Sequence, residues 1–363
     1  MKRPPRLRRS SFLLGLGLAA TACGARPGPV ETPSSGDRIA IVASERGPQG
    51  ARLVAIDEHG DRQFALIAPA RGMVRDTNPA VSPDGRWVVF ASSRERPLGE
   101  TSLWLAPLAE EAVPVRLTTG PSIESHPTWT RDGKAIVFAS TRDGPDFDLW
   151  RIPVADGRAT GKPVALTTAD SFEVTPTGAA DGTIIYAAVT PREGGDIESH
   201  LEELRPDGRI HALTSGPGDT TPALSPDGAT IAFARPAVHA TGASAELWLM
   251  PRAGGEPRAI TVLPPTEESG PVWSRDGKFV FATSLLRGDE GVLFSSVIHV
   301  EVAARAPVAR ILRDQVGAIA RLTPAIVAPV LDAAALREDP EYLPELARIM
   351  NAAVEEQRSE EPR

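Results

Sequence analysis

Five acidic residues recur at one register of this 363-residue chain. Asp76, Glu124, Glu173, Asp219 and Glu268 each stand three positions before a proline, and a sixth copy carries Arg321 there. Carboxylates repeated in this way do one of two things. If the segments that carry them converge on an axis, five like charges repel one another, and the site favours something positive, a cation or a basic side chain. If they do not converge, each acid accepts local backbone N–H bonds and fixes the turn that enters its own repeat. The first reading assigns channel-mouth binding to Asp76, Glu124, Glu173, Asp219, Glu268 and Arg321, with the arginine offsetting part of the repulsion.

The sequence offers little other chemistry. It has no G-x-S-x-G elbow for an acyl-transfer serine. It has no H-E-x-x-H pair for zinc. The six histidines, His59, His126, His200, His211, His239 and His299, fall at unrelated positions of the repeat, so no metal set and no catalytic residue is assigned. No cofactor is expected, and the chain reads as a non-enzyme. His126 beside Pro127 reads as a turn residue. Trp129 and Trp273 lie two residues after the repeat proline, where Val81, Leu224 and Ile326 stand in other copies. That is a packing position between neighbours rather than a sugar-stacking platform.

The elements that position these residues are repeats. NPAVSPDG from Asn78, HPTWTRDG from His126, TPTGAADG from Thr175, TPALSPDG from Thr221 and GPVWSRDG from Gly270 align without gaps, and TPAIVAP from Thr323 keeps the first half. Their prolines, Pro79, Pro127, Pro176, Pro222, Pro271 and Pro324, are spaced by 48, 49, 46, 49 and 53 residues. A period near 48 belongs to solenoids and propellers. Glycine and proline number 32 and 35 and are spread along the chain, as many short strands joined by turns require.

Each copy has the same grammar. The Asp-Gly pair reads as a two-residue hairpin turn. An apolar strand follows: WVVFAS from Trp87, AIVFAS from Ala135, TIIYAA from Thr183, TIAFAR from Thr230, FVFATS from Phe279. A third strand carries Trp104, Trp150 and Trp248 at one position, and a fourth closes the unit (VRLTTG from Val115, VALTTA from Val164, HALTSG from His211, RAITVL from Arg258). Four strands per period make a propeller blade. Residues 38–68 supply strands two to four of a blade, and Thr323–Pro329 supplies a first strand with nothing after it. The expected fold is all-β: a six-bladed β-propeller of four antiparallel strands per blade, closed by the C-terminal first strand joining the N-terminal three. Closure removes the exposed strand edges that would template aggregation.

SPDGRWVVFASSR from Ser82 and TRDGKAIVFASTR from Thr130 resemble the TolB-like propeller repeat, and the resemblance covers about residues 38 to 330. It implies the propeller strongly and function weakly, because the repeat serves scaffolds, peptidase side domains and lyases. The family's namesake has an α/β domain ahead of its propeller; only a tether is expected ahead of this one.

The N-terminus reads as an address. Lys2, Arg3, Arg6, Arg8 and Arg9 precede an apolar run from Phe12 to Ala22, too short to span a bilayer, and then comes Cys23, the only cysteine. This resembles a bacterial lipoprotein signal, which implies lipidation of Cys23. Acyl chains contribute about 0.8 kcal/mol per buried methylene and would hold the protein on a membrane. The expected organisation is a signal peptide over 1–22, lipidated Cys23 and a flexible tether over 23–37, the propeller over 38–331, and a C-terminal helix with an acidic tail over 332–363. The net charge of −8 becomes more negative once the basic leader is removed, which argues against nucleic-acid binding.

These features imply a monomeric, non-enzymatic cell-envelope lipoprotein, anchored at the outer membrane and facing the periplasm. Its propeller would serve as a scaffold for an envelope protein or peptide. The alternative is a propeller enzyme or sensor that holds a small ligand, such as a sugar or a cation, in the central channel.

Overall fold

The computed structural model describes residues 39–47, 50–57, 63–97, 100–192, 197–239, 242–261, 266–287, 293–303, 309–314 and 328–329, and every regular element among them is a strand. The signal, Cys23, the tether, Arg321 and the C-terminal helix expected over 332–363 lie outside these residues.

The strands fall into successive antiparallel groups. The first blade holds Ile39–Gly47, Gly50–Asp57 and Gln63–Ala65; the second Val74–Val81, Trp87–Ser92, Ser102–Pro107 and Val115–Arg116. The third is built on Glu124–Trp129, Ala135–Ser140, Asp148–Ala155 and Val164–Ala165, and the fourth on Phe172–Gly178, Ile184–Pro191, Ile197–Leu204 and Ile210–Ala212. Thr220–Leu224, Thr230–His239, Gly242–Pro251 and Arg258–Ala259 form the fifth; Thr266–Trp273, Phe279–Arg287, Leu293–Glu301 and Ala309–Asp314 form the sixth. Ala328–Pro329 returns to pair antiparallel with Ile41–Val42 in the first blade, which is the expected closing contact.

Closure is also visible in the packing. Apolar clusters fill the junction between each pair of successive blades, and one of them joins Ile41, Val54 and Ile56 of the first blade to Phe279, Phe281 and Val297 of the sixth. The second strands drive this packing. Phe90, Phe138, Tyr186 and Phe233 occupy one register and are fully buried, each against the preceding blade. Ala282 stands there in the sixth blade, and Phe281, one residue earlier, is buried on the opposite face against the first blade. Burial of a large apolar side chain contributes about 1.5–3 kcal/mol. Across the strand pair Phe90, Phe138 and Phe233 face Trp104, Trp150 and Trp248, whereas Tyr186 faces Glu202 and Phe281 faces His299.

The Asp-Gly turns differ from the two-residue hairpin read from the sequence. Gly85 N–H bonds Ser82 O at 2.8 Å, and Ser82 N–H bonds Trp87 O at 2.8 Å, so the loop is longer. Only the glycine has positive φ (72° at Gly85), and the aspartate before it does not. The reason lies in the neighbouring residues. Proline in the second position presets the first half of the turn. The serine hydroxyl then donates to the aspartate (2.5 Å from Ser82 Oγ to Asp84 Oδ1), and Arg86 N–H donates to the same oxygen. Thr130–Asp132, Ser225–Asp227 and Ser274–Asp276 repeat the arrangement.

The first strand of each of the second to sixth blades is broken by a bulge, between Thr77 and Ala80, Ser125 and Thr128, Val174 and Thr177, Thr220 and Ala223, and Ser269 and Val272. The residue before each repeat proline takes the left-handed conformation: Asn78 (φ 50°), His126 (47°), Thr175 (53°), Thr221 (48°) and Gly270 (62°). For Thr, a β-branched residue, that conformation is strained by on the order of 1–3 kcal/mol and persists only where its surroundings impose it.

Candidate functional site

The five repeated acids are equivalent in place, but each sits at its own junction between blades and none is exposed. Asp76 is 2% exposed, and Glu124, Glu173, Asp219 and Glu268 are 0% exposed. The two aspartates turn to arginine; ahead of Asp76 the first blade has Ile67 where the second has Thr118, so no hydroxyl is on offer there. Asp76 accepts Ser92 Oγ at 2.6 Å and Arg94 Nη2 at 2.6 Å; Asp219 accepts Arg235 Nε and Nη2 at 2.6 and 2.9 Å. The three glutamates reach further. A backbone N–H of the preceding blade's third strand donates to a threonine hydroxyl (Leu103 to Thr118, Leu149 to Thr167, Leu247 to Thr261, each at 2.8 Å). That hydroxyl donates in turn to Glu124, Glu173 and Glu268. The three glutamates are therefore stitches between neighbouring blades, whereas the carboxylates of Asp76 and Asp219 are held by side chains of their own blade.

The stitches differ in their counter-charges. Glu124 is paired with Arg142. Glu173 and Glu268 have hydroxyl partners, Ser171 and Ser284, and Thr190 and Leu286 stand where the third blade has Arg142. Burial pushes the Glu173 carboxyl up to about 7, with the neighbouring Asp148 adding to the shift. Burial likewise pushes Glu268 to about 7, with Glu246 adding. Glu124 is raised by burial and held back by Thr118 and Arg142. The S-x-R ending of the second strand, ASSR at Arg94 and ASTR at Arg142, is the sequence signal for this pairing.

A different set of residues lines the axis. A cavity of about 440 Å³ is walled by the first strands of the second to sixth blades and by the turns that follow them. Pro83, Pro127, Pro176, Pro222, Pro226 and Pro271 are among the residues that line it. Thr128, Thr175, Thr177 and Thr221 supply hydroxyls and His126 an imidazole; among the described residues Arg131 and Arg275 are the only charges in the lining, and no carboxylate is part of it. Burial holds the His126 imidazole down at about 4, so it is neutral at physiological pH, with Nδ1 at 3.0 Å from Ser125 Oγ. Thr175 Oγ1 is buried without a hydrogen-bond partner.

Trp129 and Trp273 pack between blades as expected, and each indole N–H donates to a carbonyl of the preceding blade, Ala80 O and Ala223 O, at 3.0 Å. Of the other histidines, His200 meets Glu202 at 3.0 Å, and Glu202 accepts the Tyr186 hydroxyl at 2.6 Å, within the fourth blade and away from the cavity lining. Among the described residues no group of three or more His, Cys, Asp or Glu is placed to hold a metal ion.

Blades of four antiparallel strands arranged in a closed ring around an axial cavity define a β-propeller. The profile of the TolB beta propeller domain matches residues 29–275, and the chain belongs to that family. Comparison of the sequence with curated proteins finds no match. Among solved structures, a protein described as TolB from Agrobacterium tumefaciens is similar at 20% identity and a TM-score of 0.53, over 76% of this chain and 89% of that one. TolB from Acinetobacter baumannii is similar at 16% identity and a TM-score of 0.56, over 80% of this chain and 65% of that one. Hydrazine synthase of Kuenenia stuttgartiensis is similar at 14% identity and a TM-score of 0.59, over 84% of this chain and 50% of that one. At these identities the likeness is one of fold.

Proposed function

We propose that this chain is a non-enzymatic cell-envelope lipoprotein whose propeller is a scaffold, holding a segment of an envelope protein in its axial cavity. The observation that carries this reading is the cavity: a tube of about 440 Å³ walled by prolines and hydroxyls from five blades. Prolines present apolar surface that is already ordered, so a bound segment does not have to immobilise flexible walls, which is where much of the cost of association lies. Membership of the TolB propeller family agrees with a binding role, and the leader ending at Cys23 agrees with an envelope location and a lipid anchor. The protein acts as a monomer and takes no nucleic acid. A small-ligand enzyme or sensor is the second reading, favoured by His126, a neutral imidazole in the cavity wall.

The test is crosslinking and affinity capture from membranes of the native host, with the wild type and with Thr128→Arg, which fills the cavity from a partly exposed position. The expected result is a protein partner recovered by the wild type and lost in the variant, with melting temperatures that agree. Equal recovery by both proteins would overturn the cavity as the site. A small ligand that raises the melting temperature and is turned over, with no protein partner, would overturn the scaffold.

A further inference from the structure

The second position of the turn that ends each first strand is not constant around the ring. It is Pro83 in the second blade, Arg131 in the third, Ala180 in the fourth, Pro226 in the fifth and Arg275 in the sixth. Proline suits that position on conformational grounds alone, so the two arginines need another explanation. Both line the axial cavity, at the end where the turns lie, and both are exposed. Arg131 reaches from the third blade to the fifth, where Nη2 donates to Ser225 O at 2.9 Å and Pro226 O at 3.0 Å. Arg275 extends from the sixth blade over the turn of the second, where a Cβ on Gly85 would lie 2.9 Å from its Nη2. Neither makes an ion pair with a carboxylate among the described residues, whereas Arg94, Arg142 and Arg235 are each spent on a buried acid.

We propose that the axial cavity selects ligands that end in a carboxylate, the apolar stem lying among the prolines and the anion meeting Arg131 and Arg275. The inference rests on the cavity being the binding site and adds the chemistry of what it takes. Guanidinium forks match the planar geometry of a carboxylate and bind it through charge-assisted hydrogen bonds. The turn aspartates Asp84, Asp132, Asp227 and Asp276 border the same end in sequence, so a dianion such as a phosphate monoester is opposed more strongly than a single negative charge. From His126 to Trp129, where the strand ends ahead of the turn that carries Arg131, the wall runs roughly 10 Å at about 3.3 Å per residue, the length of about three extended residues. At the far end Thr175 Oγ1, buried and unpartnered, and the neutral His126 ring meet the stem's polar backbone. A protein scaffolded in this way is held by its free C-terminus.

The test uses two random-sequence hexapeptide pools that differ only at the end, one with free C-terminal carboxylates and one amidated. Both are passed over the immobilised mature protein and counted by mass spectrometry. The expected result is at least tenfold enrichment of the free-acid pool, lost in Arg131→Gln/Arg275→Gln and partly kept in Arg131→Lys/Arg275→Lys, with thermal melts confirming that each variant is folded. Equal recovery of both pools overturns the carboxylate preference and leaves the cavity scaffold standing. Recovery of neither pool, with no hexanoate bound either, overturns both readings. In a parallel arm, hexanoate displaces the free-acid pool if the site reads the carboxylate. Hexanoate binding with no peptide recovered assigns the site to small acids and overturns the scaffold alone.

Discussion

Two buried glutamates without a cation partner make the propeller's stability depend on pH in a direction opposite to that of ordinary paired carboxylates. Glu173 and Glu268 have folded values raised from 4.5 to about 7 by burial. A raised folded value means that the folded state binds the proton more tightly than the unfolded chain. The contribution is therefore fully present below about pH 4.5 and is lost as pH rises through about 7. At about 1.36 kcal/mol per unit, each site loses on the order of 2–3 kcal/mol between pH 5 and pH 8. His126 works the other way, because its folded value near 4 lies below 6.5, so its contribution is present above pH 6.5 and falls away on acidification. The wild-type curve alone would mix the two effects. The informative quantity is the difference between wild type and a glutamine variant at each pH. Glu173→Gln and Glu268→Gln keep the hydroxyl contacts as amides and cannot ionise. Near pH 5 each variant should melt close to the wild type. By pH 8 each should be more stable, by on the order of 2–3 kcal/mol, or roughly 5 °C in melting temperature. Scanning calorimetry at half-unit steps from pH 5 to 8 measures this. Wild-type and variant melting temperatures that stay parallel across the range would refute the reasoning.

The arginine-paired acids are sensitive to the loss of their partner. Arg235→Met leaves Asp219 buried and unpaired and should cost about 3–5 kcal/mol in urea unfolding, largely restored by adding Asp219→Asn. Thr175→Gly relieves a left-handed β-branched residue and should raise stability by roughly 1 kcal/mol in the same assay. Gly157→Ala should destabilise instead, because its Cβ would lie 2.3 Å from the Trp87 ring at a φ of 73°. Stopping the chain after Arg321 removes Ala328–Pro329 and should unfold the ring by circular dichroism, while stopping after Leu331 should leave it folded. Cys23→Ser should move the protein from the membrane fraction to the soluble periplasm or block processing, read by fractionation.

The fold was legible because its signals are periodic. One proline per 46–53 residues marks each inner strand, and the apolar second strands follow at a constant offset. What spacing conveys is register, and register placed the five acids correctly at equivalent sites. It carries no information on depth. Whether Glu124 faces the axis or the junction depends on the bulge between Ser125 and Thr128, which turns the strand between the acid and the cavity wall. Thr118 and Arg142, the groups that hold Glu124, follow strands of different blades and meet it only in the folded ring. The turns depart from the Asp-Gly expectation for a similar reason. Asp-Gly alone signals a tight hairpin, and the deciding contacts come from the Ser82 hydroxyl and Pro83 before it. Arg131 and Arg275 were visible as departures from the SPDG pattern, but a departure acquires meaning only once both are seen at one end of one cavity.

The central claim is that the axis, and not the outer rim, is where this propeller engages a protein. Site-specific photocrosslinking in the native host addresses it directly, with a photoreactive residue at Thr128 in the cavity wall or at exposed Val164 on the outer strand of the same blade. A discrete protein adduct is expected from position 128, absent from position 164 and lost when Arg131 and Arg275 are both glutamine. An adduct from position 164 with none from position 128 would contradict it.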